Sequence, residues 1–533
     1  MKLAITSLNP IVGDVYGNIE KIQAFCKQAI QNKADLVLFP ELSLIGYPPR
    51  DYLFFKTLLQ QQQKGLKKLL PLSQKIMIVL GGYSQNKNPG KHFHNELFVL
   101  HKGKIKKYAK HLLPHYDVFD EQRYFEPGTQ ELIITHKGQK IGFSICEDIW
   151  LNESKTKRFY TNSPLNHYAK AKLDFLINIS ASPFESDKID RRQNLLKSVA
   201  KQCGCHLVYV NQVGGNDDLI FDGGSTVVNA SGKVLFQSER FVEEVFYWDS
   251  QATQTTAIKN PKANKTTHIK KALALGLRDY VIKSGFKKVC LGLSGGIDSA
   301  VVAALAVEAL GKENVLGILM PSRYSSKGSV TDSKALAKNL GIKTKTIAIK
   351  APHNTLEKLL KKELGSLSDL TEQNIQARIR GNILMAVSNN SGALLLNTTN
   401  KSELTMGYGT LYGDMCGALA VIGDLTKKQV YALAEDINAK QNIIPQAIIT
   451  KAPSAELKPN QKDQDSLPAY SKLDRFVEEF TEGAELPKSA SKKFVKAMMI
   501  NEYKRFQAPP VLKVSGKAFG PGRRFPLVGK ISL

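Results

Sequence analysis

An α/β fold divided into two domains is predicted for this chain by three features of its sequence. Up to about residue 250, short aliphatic and β-branched runs alternate with stretches of helical periodicity, the pattern of layered strands and helices. From residue 251 to about 265 that periodicity stops, and Gln, Thr, Asn, Lys and a proline take over, which marks a linker. Beyond it, residues 288–294 read as a strand entering a glycine turn and then a helix. The alternation then resumes, so a doubly wound parallel sheet is expected there.

In the first domain, placed over residues 1–250, strands are expected over 34–39, 76–80, 141–145, 175–179 and 207–210. The linker is assigned to 251–268 and the second domain to 269–533. That domain opens with an amphipathic helix over 269–284, followed by the strand and by a helix over 299–310. Segments 315–320, 334–340 and 343–349 continue the βαβ pattern. Between 452 and 467 Pro, Lys, Asp and Gln dominate, which suits either a mobile loop near a site or a plain connection.

With 42% hydrophobic and 23% charged residues, the balance is that of a soluble globular protein. The N-terminal apolar run is too short for a secretory signal, and the longest apolar stretches fall well short of the ~20 residues of a membrane helix. Six scattered cysteines lack the spacing of a zinc site or the density of a disulfide scaffold, so a reducing cytoplasm is expected. The net charge of +26 lies mostly beyond residue 250. No aromatic-plus-basic platform accompanies it, and neither a nucleic-acid nor a membrane partner is expected.

Three polar clusters follow expected strands directly, where α/β folds place their chemistry. They are Pro40-Glu41-Leu42, Lys110-His-Leu-Leu-Pro114 and Cys146-Glu147-Asp148. Together with Gly46-Tyr-Pro-Pro-Arg-Asp51, Tyr116-Asp-Val-Phe-Asp-Glu121 and Asn178-Ile-Ser-Ala-Ser-Pro183, they resemble the nitrilase superfamily of carbon-nitrogen hydrolases over residues 1 to about 250. The resemblance implies an α-β-β-α sandwich that hydrolyses an amide. An amide carbonyl is a poor electrophile and needs a nucleophile, a proton acceptor and an oxyanion stabiliser at one point. Cys146 is expected as nucleophile, with Lys110 favouring its thiolate and stabilising the oxyanion. Glu41 is expected to take the thiol proton and activate water. By resemblance to the glutaminase members, Tyr116, Glu121, Ser182 and Lys188 hold glutamine.

The run Gly292-Leu293-Ser294-Gly295-Gly296-Ile297-Asp298-Ser299 sits between an expected strand and helix, where backbone N–H groups cradle phosphate. Neither a Walker lysine nor G-x-G-x-x-G is present, so kinase-like and dinucleotide-oxidoreductase readings lose support. Ser-Gly-Gly-x-Asp-Ser is the signature of the ATP pyrophosphatase family. The resemblance implies that the loop binds ATP and that Asp298 holds Mg2+. Further on, residues 374–382, Asn397-Thr-Thr-Asn-Lys-Ser-Glu403 and Gly407-Tyr-Gly-Thr-Leu-Tyr-Gly-Asp414 resemble NAD synthetases. That resemblance implies Thr398 for ATP, Glu403 for Mg2+ and the dinucleotide, and Asn374 and Lys517 for deamido-NAD.

Taken together, the chain resembles the NAD synthetases that draw ammonia from L-glutamine. The implied reaction adenylates the nicotinate carboxylate of deamido-NAD with ATP and Mg2+, then displaces AMP with ammonia from the amide site. The same resemblance implies a homo-oligomer. The alternative is another glutamine-dependent amidotransferase of the ATP pyrophosphatase family.

Overall fold

The computed structural model describes residues 1–150, 160, 163–251, 264–459, 461–465, 467–482 and 492–528. The chain divides into two units, Met1–Ala263 and Asn264–Leu533. All six cysteines are free, and among the described residues no helix is long and apolar enough to cross a membrane.

The first unit holds two six-stranded sheets. One runs in the order Glu244–Asp249, Lys2–Ser7, Leu36–Leu38, Met77–Gln85, Phe93–His101, Lys104–Ala109. The other runs Val234–Gln237, Thr226–Val228, His206–Asn211, Phe175–Ser180, Gln139–Ile145, Ile133–His136. The inner strands are parallel, with Ile5 beside Leu38 and Leu38 beside Val79 in one sheet, and Ile145 beside Ile179 in the other. Side chains of a strand alternate between faces, and here both faces are covered. Leu36 and Leu38 pack with Ile5, Phe143, Ile145 and Ile177 between the sheets. Val37 turns the other way onto Ile19 and Ile22 of the helix Val15–Gln31. On the far side, Leu176 and Leu207 meet Leu195 and Val199 of the helix Lys188–Cys203. The result is helix, sheet, sheet, helix, the α-β-β-α sandwich that the resemblance implied. Burial on both faces is why these strands read as continuous apolar runs, and each wholly buried Leu or Ile contributes about 1.5–3 kcal/mol.

The second unit is built on five parallel strands in the order Lys343–Thr346, Val315–Leu319, Val289–Gly292, Leu394–Asn397, Leu419–Ala420. The order reverses at Val289–Gly292, and a doubly wound sheet opens its crevice at the carboxyl ends of the strands flanking that switch. The helix Ile297–Leu310 is buried along Ile297 and from Ser299 to Ala306 because it packs against the helices Lys265–Lys283 and Lys427–Asn438. An all-round apolar helix such as this one carries no amphipathic stripe.

Three boundaries differ from the sequence reading. The first helix of this unit starts at Lys265, where the Asn264 side chain caps it by accepting from the Thr267 N–H. Residues 265–268 therefore belong to the helix, and 252–263 of the expected linker lie outside the described residues. The helix after the glycine turn starts at Ile297 rather than 299, which places Asp298 and Ser299 in its first turn. Segment 334–340 is the end of a longer helix, Lys327–Leu340, capped by Ser326.

Candidate active sites

In the first unit, Cys146 follows the strand Gln139–Ile145 and opens the short turn Cys146–Ile149 with φ of 41°. That left-handed conformation is costly for a residue with a side chain and persists only where its surroundings enforce it. Asp148 supplies the enforcement. Its buried carboxylate accepts from the backbone N–H of Ile145 at 2.8 Å, of His111 at 3.0 Å and of Leu112 at 2.9 Å, and from the Tyr108 hydroxyl at 2.7 Å. One side chain thus ties the cysteine turn to the segment that carries Lys110.

Lys110 Nζ donates to Glu41 Oε1 at 2.7 Å and to Glu121 Oε1 at 2.8 Å, with all three side chains buried. Asn95 Nδ2 also donates to Glu41 Oε1, at 2.7 Å, and the Ala181 N–H donates to Glu41 Oε2 at 2.9 Å. Tyr47 donates its hydroxyl to Glu121 at 2.9 Å. Gly81 makes room for this cluster: a Cβ there would lie 2.1 Å from the Leu42 nitrogen and 2.6 Å from the Glu41 carbonyl carbon.

Burial pushes the Cys146 thiol well above the usual range, and the Glu41 charge adds to this while Lys110 only opposes it. Lys110 thus acts in the expected direction, favouring the thiolate, against the larger effect of burial. The Lys110 ammonium is shared between two carboxylates. Burial would lower Lys110, but Glu121 and Glu41 outweigh it and hold the ammonium well above its ordinary value. Burial raises Glu121 to about 7, with Lys110 opposing and Glu41 adding.

Around this cluster, Tyr116 and Tyr160 donate their hydroxyls to the buried Glu147 at 2.9 and 3.0 Å. Lys188 lies at the start of its helix with Nζ 5.3 Å from the Trp150 ring centroid and 4.0 Å from Glu185. Ser182 is held through its backbone: its N–H donates to Asn211 Oδ1 at 2.9 Å and its carbonyl accepts from Asn211 Nδ2 at 3.2 Å.

In the second unit the glycine-rich run forms one wall of a cavity of about 840 Å³ at the switch point. Gly292, Leu293, Ser294, Gly296, Ile297, Asp298 and Ser299 line it, and so do Asn374, Thr398 and Glu403. Gly295 shapes the turn from behind, with φ of 77° and space so tight that a Cβ would sit 2.5 Å from the Ser329 carbonyl oxygen. Ser294 and Ser299 hydroxyls are 3.1 Å apart, and the Gly296 N–H donates to Ser294 Oγ at 3.2 Å.

Asp298 accepts from Lys427 Nζ at 2.5 Å and from Asn400 Nδ2 at 2.9 Å, while Glu403 lies 3.4 Å from the same ammonium. Two carboxylates sharing one cation at a cavity wall form a hard-oxygen donor pair. Mg2+ characteristically takes one or two carboxylates and completes its shell with phosphate and water, so the pair fits that ion. Burial pushes Glu403 up to about 8, against Lys427 and with Asp298. Asn374 Oδ1 accepts from the Thr410 hydroxyl at 2.7 Å. Lys517 is not among the lining residues; its carbonyl accepts from Lys401 Nζ at 2.8 Å, which anchors that segment.

Of the stretch 452–467, residues 452–457, 461 and 463 line the cavity. Glu456 accepts from Ser329 Oγ at 2.6 Å, Ser326 Oγ at 2.9 Å and Lys451 Nζ at 2.9 Å, and Lys451 lines the cavity as well. Lys427, Lys451, Glu456 and Asn95 were not singled out from the sequence, since nothing in their local pattern marks them, and Asp148 was quoted with Cys146 but given no role. Asn400 could have been: Asn-x-x-Glu ahead of an apolar turn is a capping box, and Asn400 and Glu403 form one.

The carbon-nitrogen hydrolase family matches residues 2–260 and the NAD synthase family matches residues 269–508. The chain is 44% identical to a glutamine-dependent NAD(+) synthetase of a Synechocystis strain, over 98% of both chains. It is 39% identical to the glutamine-dependent NAD(+) synthetase of Acinetobacter baylyi, over 99% of this chain and 98% of the other. Among solved structures it is similar to that of the glutamine-dependent NAD+ synthetase of Acinetobacter baumannii in complex with adenosine diphosphate. There the TM-score is 0.79 at 36% identity, with 99% of this chain and 98% of the other covered.

Proposed function

The chain belongs to the glutamine-dependent NAD(+) synthetases, and from that premise we propose a division of labour between its two units. Residues 1–250 carry the glutaminase and residues 269–533 the synthetase. Together they convert deamido-NAD, ATP, glutamine and water to NAD, AMP, pyrophosphate and glutamate.

The observation that carries the first half is the buried Glu41–Lys110–Glu121 cluster beside a strained cysteine turn. Burial and the Glu41 charge raise the Cys146 thiol, which supports a proton passing to Glu41 as the sulfur attacks the glutamine carboxamide carbon. Lys110 stabilises the oxyanion of the tetrahedral intermediate. Glu41 returns the proton to the departing nitrogen, ammonia leaves, and Glu41 then deprotonates the water that cleaves the thioester to glutamate. Glu121, Tyr116, Ser182 and Lys188 are proposed to hold the glutamine.

In the second half, the Gly292–Ser299 loop and Thr398 bind ATP, and Asn374, Glu403 and Lys517 are proposed to hold deamido-NAD. The nicotinate carboxylate attacks the α-phosphorus, pyrophosphate leaves, and ammonia displaces AMP from the adenylate. Mg2+, held by Asp298 and Glu403, would supply charge neutralisation for the phosphates. Ser294 and Ser299 can donate to the leaving pyrophosphate. A homo-oligomer in a reducing cytoplasm completes this reading, supported by the resemblance to the family and by six unpaired cysteines.

The test is NAD formation from deamido-NAD, ATP and Mg2+ with either glutamine or an ammonium salt. Cys146→Ala should lose glutamine-driven synthesis and keep ammonium-driven synthesis. If the wild type makes NAD from neither nitrogen source, the acceptor is misassigned.

A further inference from the structure

Glu41 is wholly buried, and its two oxygens are not equivalent. Oε1 accepts two hydrogen bonds, from Lys110 Nζ and from Asn95 Nδ2, both at 2.7 Å. Oε2 accepts one, from the Ala181 N–H at 2.9 Å. A carboxylate oxygen has two lone-pair directions, so Oε1 is saturated and Oε2 keeps one free. Asn95 makes the difference, because Lys110 alone would leave one direction open on each oxygen.

Asn95 is 1% exposed and sits in the strand Phe93–His101, where its own carbonyl accepts from the Lys110 N–H at 2.9 Å. Its amide nitrogen is also 3.5 Å from Glu121 Oε2, while its Oδ1 has no hydrogen-bond partner. An asparagine kept for packing would satisfy both ends of its amide. This one leaves its acceptor bare and commits its donor to the carboxylates. Flipping the amide would set Oδ1 against Glu41 Oε1 at the same short distance, two acceptors facing each other, so the nitrogen must face Glu41.

We propose that Asn95 is a positioning residue for amide hydrolysis: by filling Oε1 of Glu41 it makes Oε2 the oxygen that takes and returns the proton. The proposal rests on Glu41 being the base. Asn95 touches neither Cys146 nor the amide in this account and acts only through Glu41. The charged and titratable groups around Glu41 are Lys110, Glu121, Cys146 and Tyr47.

The test is glutamate release by the full-length protein and its Asn95→Leu, Asn95→Asp and Glu41→Gln variants, from about pH 6 to 9. Ammonium-driven NAD synthesis and a thermal melt serve as checks that each variant is folded. Asn95→Leu removes the donor while keeping the branched shape of the side chain. We expect its kcat for glutamine to fall on the order of 10²-fold, the scale of a misplaced catalytic group, with KM little changed. Asn95→Asp should be as impaired at alkaline pH. It should recover relative to wild type as pH falls, because the introduced carboxyl, once protonated, again donates to Oε1. Asn95→Leu cannot recover at any pH.

A kcat for Asn95→Leu within about threefold of wild type overturns the proposal, as does an Asn95→Asp deficit that does not change with pH. Glu41→Gln separates the two levels. Glutamine hydrolysis surviving there removes the base assignment and this proposal with it. Loss there together with retention in Asn95→Leu overturns the proposal alone.

Discussion

Replacing Lys110 by methionine would leave Glu41 and Glu121 facing a common buried space with no counter-charge. Both lysine contacts are short, 2.7 and 2.8 Å, and the side chains of Lys110 and Glu41 are 0% exposed. Methionine fills a similar volume, so the loss is electrostatic rather than a cavity. Removing one partner of a buried pair costs about 3–5 kcal/mol. In a unit of this size each kcal/mol lowers the melting temperature by roughly 2–4 °C, so a decrease of about 10 °C is expected at pH 8. The deficit should depend on pH with a definite sign. Burial already raises Glu121 to about 7 against the Lys110 ammonium; without that ammonium it is raised further above its unfolded value, so the folded form binds a proton that the unfolded form has released. Stability is then greatest at low pH and is lost as pH rises through the folded pKa. Thermal unfolding of the Lys110→Met variant followed by circular dichroism, at pH 8 and pH 5.5, checks both points. A variant that melts within about 2 °C of wild type at pH 8, or whose deficit is the same at both pH values, refutes the reasoning.

Other consequences are open to direct measurement. Burial and the Glu41 charge hold the Cys146 thiol high, so its alkylation by iodoacetamide without glutamine should accelerate through pH 9 with no plateau; a plateau below pH 8 would show a resting thiolate. Gly295→Ala must place a methyl 2.5 Å from the Ser329 carbonyl oxygen at a φ of 77°. Its backbone strain alone is about 1–3 kcal/mol, and ammonium-driven synthesis should fall at least tenfold while glutamine hydrolysis is kept. Chelating divalent ions with EDTA should stop NAD synthesis from both nitrogen sources and leave glutamate release unchanged, since the Glu41–Lys110–Cys146 chemistry uses only side chains. Glutamate release that falls in parallel would contradict that division.

Asp148 and Asn95 show why part of the first site was hidden in the sequence. Asp148 lies in the same tripeptide as Cys146, yet its partners are Tyr108, His111 and Leu112, on another strand and the segment after it. Asn95 sits mid-strand in a Phe-His-Asn-Glu context with no local signature, and only folding sets its amide against Glu41. Lys427 is similar: in Thr-Lys-Lys-Gln it resembles any first-turn lysine, and its ammonium reaches Asp298 from 129 residues away. The helix start at Lys265 was missed because the cap, Asn264, follows a polar stretch that masks it.

The sequence by itself determined the layering and the chemistry available to each unit. Runs such as Leu36–Leu38 and Phe175–Ser180 must be buried on both faces to be stable, and Gly295 between a strand and a helix allows a φ of 77° that other residues do not accept readily. It also set the order of Glu41, Lys110 and Cys146. Only the tertiary structure decided their electrostatics and pairing: that Lys110 serves two carboxylates, that burial and Glu41 raise the Cys146 thiol against Lys110, and that Glu41 has one free lone pair. The reason is that burial and Coulomb interaction act through space and are summed over every neighbouring charge. A local sequence pattern carries neither the distances nor the burial that fix that sum.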